Sequence, residues 1–583
     1  MSLRVINMYL ERIQEIQNYI KAKNIDAYIC FLSDDHGSEY IPDAYKSLSF
    51  LCGFTGSSGT LLITQSQSFL WTDGRYFLQA EKQLKESQTI LKKSGIDEPI
   101  DDFINQNVAT LAFDFKVCNV SFVEKLKKSI QFIDDASIIH EIWKDKPSLP
   151  NKKIFLLPKT QFKLQSFEKC HKTITFMRNT QNFGILVTAL DDIAWLLNAR
   201  GKDIHFNPVF ISFLFLSKIK NQETYTLYIP LTKLSKEIKE EFSKEQIIIK
   251  PYNDIYKDIQ KFPYLIYYDN QKTNYKLYTI MQKKKNTTLW PTLQKAIKNN
   301  LDIQQSKKIH IYDGMIMCKF IYYLKNNVGK KKMTELSVAT YLDTLRKQNG
   351  AFDLSFQTIV GYQENGAIIH YSATKESDKE IKNEGFLLVD SGGQYYFGTT
   401  DVTRTIAFKK ITPEMKYHFT LALKAHIDLA MAVFDKNTTD AALDNIARKP
   451  LWDVSLDYNH GTGHGVGHML NVHEGPQSIR YNKVNPVVME KGMITSDEPG
   501  LYFEGKYGIR HENELLCVAI DENLLGFEPL TYVPFDLEAI DVTLLTKKER
   551  DYLNHYHQMV YKNIAKYLTN EEKYYLAYAT REI

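Results

Sequence analysis

FLLVDSGGQYYFGTTDVTRTIAF, residues Phe386 to Phe408, decides how this chain is read. Phe386-Leu387-Leu388-Val389 runs apolar into Asp390, glycines 392, 393 and 398 mark a bend, and Thr403 to Phe408 alternates as a strand should. Asp390 ends the first strand and Asp401 precedes the second, so a hairpin sets the two carboxylates side by side. Paired anions at the mouth of an apolar strand repel unless a cation lies between them. Aspartate is also favoured in turns on its own account, so neither residue decides the matter alone.

Four further segments join this hairpin. Ala367-Ile368-Ile369-His370-Tyr371 puts a histidine at the end of an expected apolar strand. His460-Gly461-Thr462-Gly463-His464-Gly465-Val466-Gly467-His468 is a glycine-rich loop bearing imidazoles, and Asn471-Val472-His473-Glu474-Gly475-Pro476 follows it. Thr495 to Tyr502 and Gly508 to Asn513 read as the arms of another strand pair. A lone histidine or acid in such a place is more often structural; five such segments, each at a strand end or a glycine turn, point to a site.

Asp390, Asp401, Glu498 and Glu512 with the imidazole of His464 form an oxygen-dominated, hard ligand field. That set suits Mn²⁺ or Co²⁺, admits Zn²⁺, and argues against a cysteine-type structural zinc. Four carboxylates exceed the need of one divalent ion and suit two, some of them bridging. Such a pair can hold a hydroxide at neutral pH and polarise the bond it attacks, with His370 and His473 as donors to the developing oxyanion. Hydrolysis is the reaction these parts fit.

The rest of the chain sets bounds. Its 583 residues imply three or four domains, and 44% hydrophobic with 24% charged residues is ordinary globular composition. A formal net charge of +4 gives no reason to expect a nucleic-acid partner. The opening MSLRVINMYLERIQEIQ has charges where a signal peptide needs an apolar core, and no apolar run is long enough to span a bilayer. The six scattered cysteines lack CxxC spacing, so buried reduced thiols, a cytoplasmic setting and no membrane contact are the expectation.

Residues 1–155 read as alternating helix and strand: a helix over 5–23, a strand over 27–32, and glycine turns in Gly53-Phe54-Thr55-Gly56-Ser57-Ser58-Gly59 that lack the Lys-Ser/Thr of a phosphate loop. A Lys-, Pro- and Asn-rich stretch near Lys144 to Pro158 reads as a linker. Residues 156–301 then repeat the theme, with a helix near 166–178 and strands at 184–187, 209–214 and 225–229, as a duplicated α/β domain would. From 302 to 525 helices lead into the site segments in an α+β arrangement. The tail, Thr543 to Ile583, is helical and dense in Tyr, Leu and Lys, with an aromatic face expected to need a partner surface.

DSGGQYYFGTTDVTRT, HGTGHGVGHMLNVHEGP, SDEPGLY and GIRHEN resemble the signature blocks of the Xaa-Pro aminopeptidases, of the pita-bread metallopeptidase family. DDHGSEYI, GFTGSSGT and TDGRYFLQA near the start, VTALDDIAWLLNARG in the middle and LTKKERDYLNHYH near the end extend the similarity over nearly the whole chain. The resemblance implies two creatinase-like domains (1–155 and 156–301), a pita-bread catalytic domain (302–525) and a C-terminal extension (526–583) contacting a second copy in a homodimer. It implies that Asp390 chelates one metal, His464 and Glu498 the other, and that Asp401 and Glu512 bridge. Glu498 would shuttle the catalytic proton, His370 and His473 would bind substrate and intermediate, His460 would line the pocket, and Arg75 would reach the substrate. The implied cofactor is a pair of divalent ions, Mn²⁺ foremost, and the implied substrates are peptides with proline second. His468 and His511 depart from the family pattern without removing a ligand. An Xaa-Pro dipeptidase and a non-catalytic binding scaffold are the competing readings.

Overall fold

The computed structural model of the protein describes residues 3–583. The chain divides between Pro291 and Thr292 into two compact units.

The first unit carries two six-stranded sheets of matching plan. In the first, Ile90–Lys93, Ser68–Thr72, Thr60–Thr64, Ala27–Phe31, Thr110–Phe113 and Gln131–Asp134 lie in that order. The second runs Ile247–Pro251, Gln222–Ile229, Phe213–Ile219, Phe183–Val187, Leu265–Tyr268 and Lys283–Asn286. From the first edge to the last, the neighbours in both sheets pair as parallel, antiparallel, antiparallel, parallel, parallel. The duplication expected from the order of elements is thus a duplication of sheet topology. Helix Leu3–Ala22 lays Ile13, Ile16 and Ile20 into the first core at helical spacing. The expected strand at 209–214 begins only at Phe213, because Pro208 and the turn bonds around Asp203 hold the preceding residues in a loop.

In the second unit, helix Asn300–Asn327 starts at a capping box in which Asn299 and Asp302 satisfy each other's backbone N–H groups. The opening stretch of sequence forms the strand Phe386–Ser391, central in an antiparallel sheet between Ile359–Tyr362 and Val402–Ala407. Phe386, Leu387, Leu388 and Val389 are all buried, which is why the run is continuously apolar rather than alternating. The connector between Asp390 and Asp401 builds a small hairpin of its own, Gly393–Tyr395 with Gly398–Thr399, paired to Ala351–Leu354. A second sheet contains Ile494–Asp497, Asn513–Ala519 and Leu524–Pro529. The Glu512 N–H donates to the Thr403 carbonyl (3.2 Å), joining the two sheets at their mouths.

Two helices close the chain, Lys547–Ile564 and Asn570–Ala579. Leu553, Tyr556, Val560, Ile564 and Leu576 enter the same core as Ile316, Phe320 and Leu324 of the long helix. The apolar side of these helices is therefore covered within the second unit, while Tyr574 and Tyr578 remain 82% and 53% exposed. All six cysteines are free and buried. Among the described residues, no helix is long and apolar enough to cross a membrane.

Candidate metal centre

Every donor sits where a strand ends or a glycine loop turns. Asp390 lies opposite Thr403 in the register of the first sheet, and Asp401 immediately precedes the strand that carries Thr403. Glu498 follows Ile494–Asp497, and Glu512 precedes Asn513–Ala519. His464 pairs with Ser478 in a short two-stranded ribbon. The loop can approach the sheet because residue 463 is glycine: a Cβ there would lie 1.9 Å from the Ser496 carbonyl oxygen.

The structure brings all five expected ligands together. Asp390, Asp401 and Glu512 form one group whose donor atoms lie within 4.8 Å of one another; His464, Glu498 and Glu512 form a second. Asp401, His464 and His473 form a third on the same limit. His464 Nε2 is 3.5 Å from Asp401 Oδ2 and 3.5 Å from Glu498 Oε1. Its Nδ1 lies 3.1 Å from the Gly465 carbonyl, to which an Nδ1–H donates, so Nε2 is the ring nitrogen turned towards the acids.

Such crowding is costly without cations. Burial, then the neighbouring charges of Asp401, Glu498 and Asp390, push the Glu512 carboxyl well above its ordinary range. Burial also raises Asp390, against the pull of Arg510, and lifts Glu498 to about 7. For His464 burial alone would lower the value, but the bond to Asp401 and the charge of Glu498 outweigh it and raise it to about 9. Asp390 Oδ1 is buried with no hydrogen-bond partner among the described residues, while Thr403 Oγ1 donates to Glu512 Oε2 at 2.6 Å. A hard, oxygen-rich donor set with an orphaned buried carboxylate oxygen fits divalent cations.

The remaining candidates surround this cluster. The rings of His464 and His473 meet edge to face, 4.3 Å between centroids. His460 Nδ1 faces the Gly461 carbonyl (2.8 Å) and its Nε2 faces the Tyr502 hydroxyl (2.8 Å). Arg510 was passed over in sequence. Its Nη1 donates to Tyr502 (2.8 Å) and, more weakly, to the Ile369 carbonyl (3.4 Å), which brings the backbone beside His370 to the site. His370 does not end a strand: the strand stops at Tyr362, and a 3₁₀ turn over Gln363–Ala367 follows. Asn365-Gly366 supplies that turn, and Gly366 packs against Gly508 too closely for any Cβ on residue 508.

His468 and His511 point elsewhere. His468 Nε2 lies 2.9 Å from Gln305 Oε1 and Nδ1 lies 3.3 Å from Ser306 Oγ, so it docks the loop on the long helix. His511 Nε2 faces the Phe419 carbonyl at 3.2 Å, with its ring edge-on to Phe419. Arg75 belongs to the first unit, where Asp73 takes its Nε and Nη2 at 2.8 Å each.

Comparison with known proteins finds relatives over nearly the whole chain. Residues 304–519 match metallopeptidase family M24, and 523–583 match the C-terminal region of peptidase M24. Residues 12–142 and 145–302 each match the creatinase/prolidase N-terminal domain. A probable Xaa-Pro aminopeptidase P of Pyrenophora teres is 35% identical over 98% of this chain and 92% of its own length. Xaa-Pro aminopeptidase 1 of Dictyostelium discoideum is 35% identical over 97% of this chain and 94% of its own. The crystal structure of an X-prolyl aminopeptidase from Caenorhabditis elegans, described as a cytosolic enzyme with a di-nuclear active site, is 31% identical. It superposes with a TM-score of 0.93 over 99% of this chain and 100% of that one.

Proposed function

Since the chain belongs to the Xaa-Pro aminopeptidases of metallopeptidase family M24, a hydrolase that works with two divalent metal ions, we propose that its substrates are peptides with proline in the second position. The amino-terminal residue is removed. A proline there makes the scissile bond a tertiary amide without an N–H, so recognition must fall on the ring and on the free amino end.

The observation that carries the proposal is the overlap of the donor groups. Glu512 is common to a group with Asp390 and Asp401 and to a group with His464 and Glu498. This supports Asp390 on one ion, His464 and Glu498 on the other, and Glu512 with Asp401 between them. Two divalent ions so held would supply Lewis acidity and an acidified water at neutral pH. Mn²⁺ is the proposed metal, from the predominance of carboxylate oxygen.

The chain's own groups supply the proton handling. Glu498, whose Oε1 is 3.5 Å from His464 and which is among the more accessible acids of the cluster, is assigned to take a proton from the attacking water and return it to the prolyl nitrogen. His473, against His464, and His370, beside the carbonyl that Arg510 holds, are assigned to the substrate carbonyl oxygen. His460, oriented by Tyr502, is assigned to the pocket wall.

Domain limits at 155/156, 301/302 and 525/526, a homodimer involving the extension, and a cytoplasmic setting without nucleic-acid or membrane partners belong to the same reading. The C. elegans relative, described as cytosolic, supports the setting. The test is hydrolysis of an Xaa-Pro-Xaa tripeptide against an Xaa-Pro dipeptide, with Mn²⁺ and after chelation. Metal-dependent release of the first residue from the tripeptide is expected. Turnover of the dipeptide alone would establish the dipeptidase reading, and no turnover of either the scaffold reading.

A further inference from the structure

The face of the second sheet turned away from the metal cluster carries its own polar layer. Asp497 and Asn513 are direct cross-strand partners in the antiparallel pair that ends in Glu498 and begins after Glu512. Successive residues of a strand face opposite sides, so Asp497 and Asn513 look one way while their neighbours Glu498 and Glu512 look towards the cluster. His426, on helix Pro413–Ala430, meets both members of the rear pair. Its Nδ1 lies 3.1 Å from the Asp497 carbonyl and 3.0 Å from Asp497 Oδ2, and its Nε2 lies 3.2 Å from Asn513 Nδ2. All three residues are fully buried.

The protonation pattern follows from chemistry. Arg404 Nη2 donates to Asn513 Oδ1 (2.7 Å), and a guanidinium can only donate. Asn513 must therefore turn its NH₂ towards His426, whose Nε2 accepts, so the ring proton sits on Nδ1 and faces Asp497. Arg404 also bonds the Glu512 carbonyl through Nη1 (2.6 Å), and the Tyr556 hydroxyl closes the layer at 3.0 Å from Arg404 Nη2. Arg404 thus fixes the Asn513 amide, and the amide in turn fixes which nitrogen of His426 carries its proton.

We propose that His426 is a positioning residue for the peptidase: bridging Asp497 and Asn513 from behind, it fixes the separation at which Glu498 and Glu512 face the same pair of ions. The proposal rests on the two-metal reading above. It assigns His426 no contact with substrate or metal.

The experiment uses the full-length protein, stripped of metal by chelation and titrated calorimetrically with Mn²⁺, for wild type and His426→Ala, His426→Asn and His426→Gln. Asparagine can reproduce the contact to Asp497 and glutamine the one to Asn513. In folded His426→Ala, judged by circular dichroism, at least one Mn²⁺ should bind on the order of 10- to 100-fold more weakly. At saturating Mn²⁺, kcat on an Xaa-Pro-Xaa peptide should fall by about tenfold or more while KM moves by less than about twofold. The asparagine and glutamine variants should each recover part of the affinity and neither all of it. A folded alanine variant with wild-type affinity for both ions would overturn the proposal. If the alanine variant does not fold, wild-type affinity in both other variants overturns it instead, and so does the failure of all three to fold, which would make His426 a stability residue. Wild-type protein that takes up fewer than two ions or leaves the peptide intact would defeat the two-metal reading rather than this role.

Discussion

Arg510 Nη2 lies 2.6 Å from Asp390 Oδ2, a pair 1% and 11% exposed at the side chain, while the other oxygen of Asp390 has no hydrogen-bond partner among the described residues. The guanidinium thus balances one side of the carboxylate and leaves the other facing Asp401 and Glu512. A lysine keeps the charge but not the fork that reaches Asp390 and Tyr502 together. Arg510→Lys should weaken Mn²⁺ binding on the order of tenfold in titration of the chelated protein. Unchanged affinity would mean that charge alone orients Asp390.

Metal-free protein should lose stability as the pH rises. Glu498 titrates at about 7 when folded, against roughly 4.3 for an unfolded glutamate. The folded chain therefore holds a proton that the unfolded chain has released, and this contribution is full below about 4.3 and lost as the pH climbs through about 7. His464, raised to about 9, has the same sign and loses its contribution between roughly 6.5 and that value. Raised Glu512 and Asp390 act in the same direction. Thermal melts of chelated protein should fall from pH 6 to pH 8, and added Mn²⁺ should raise Tm more at pH 8. A metal-induced shift of equal size at both pH values would count against these titrations.

The two histidines of the glycine loop separate the ligand from its look-alike. His464→Gln should abolish Mn²⁺-dependent turnover in a protein that still folds. His468→Gln, which can keep a polar contact with Gln305, should stay within about threefold of wild type, the scale of a ~0.6 kcal/mol loss. Parallel initial-rate assays decide between them, and the reverse order of effects would reassign the ligand.

The terminal helices should matter to folding first. Leu553 is fully buried in the core shared with the long helix, so Leu553→Ala should cost about 3 kcal/mol in denaturant unfolding of the catalytic unit. Deletion from Thr543 removes Leu553, Tyr556, Val560 and Ile564 together and should leave the remaining chain insoluble or unstructured. A soluble truncated protein with native circular dichroism, altered only in sedimentation, would restrict the extension to self-association.

The ligand set was legible because strand ends and glycine turns leave local marks: Asp390 after an apolar run, Glu498 before Pro499-Gly500, His464 between glycines. The duplicated sheets were legible as a repeated order of elements. The strand expected before His370 was not, since the apolar run Ala367 to Ile369 comes just after the Asn365-Gly366 turn, and the turn chemistry prevailed. The rear layer left a fainter mark. His426 sits in a helix with ordinary patterning, and its partners are fixed only when helix and sheet meet. One signal could have found them: Asp497 stands directly before Glu498, so the pleat sends one of two adjacent acids into the core, where it needs a partner.

Tyr556 belongs to the last helices of the chain, yet its hydroxyl touches Arg404, Asn513 and the carbonyl of Val533. On the ribosome the five donors are made first and the tyrosine that braces them only afterwards. A nascent chain therefore carries the acids without their support, and the order of synthesis delays the hydrolase until Tyr556 has been made.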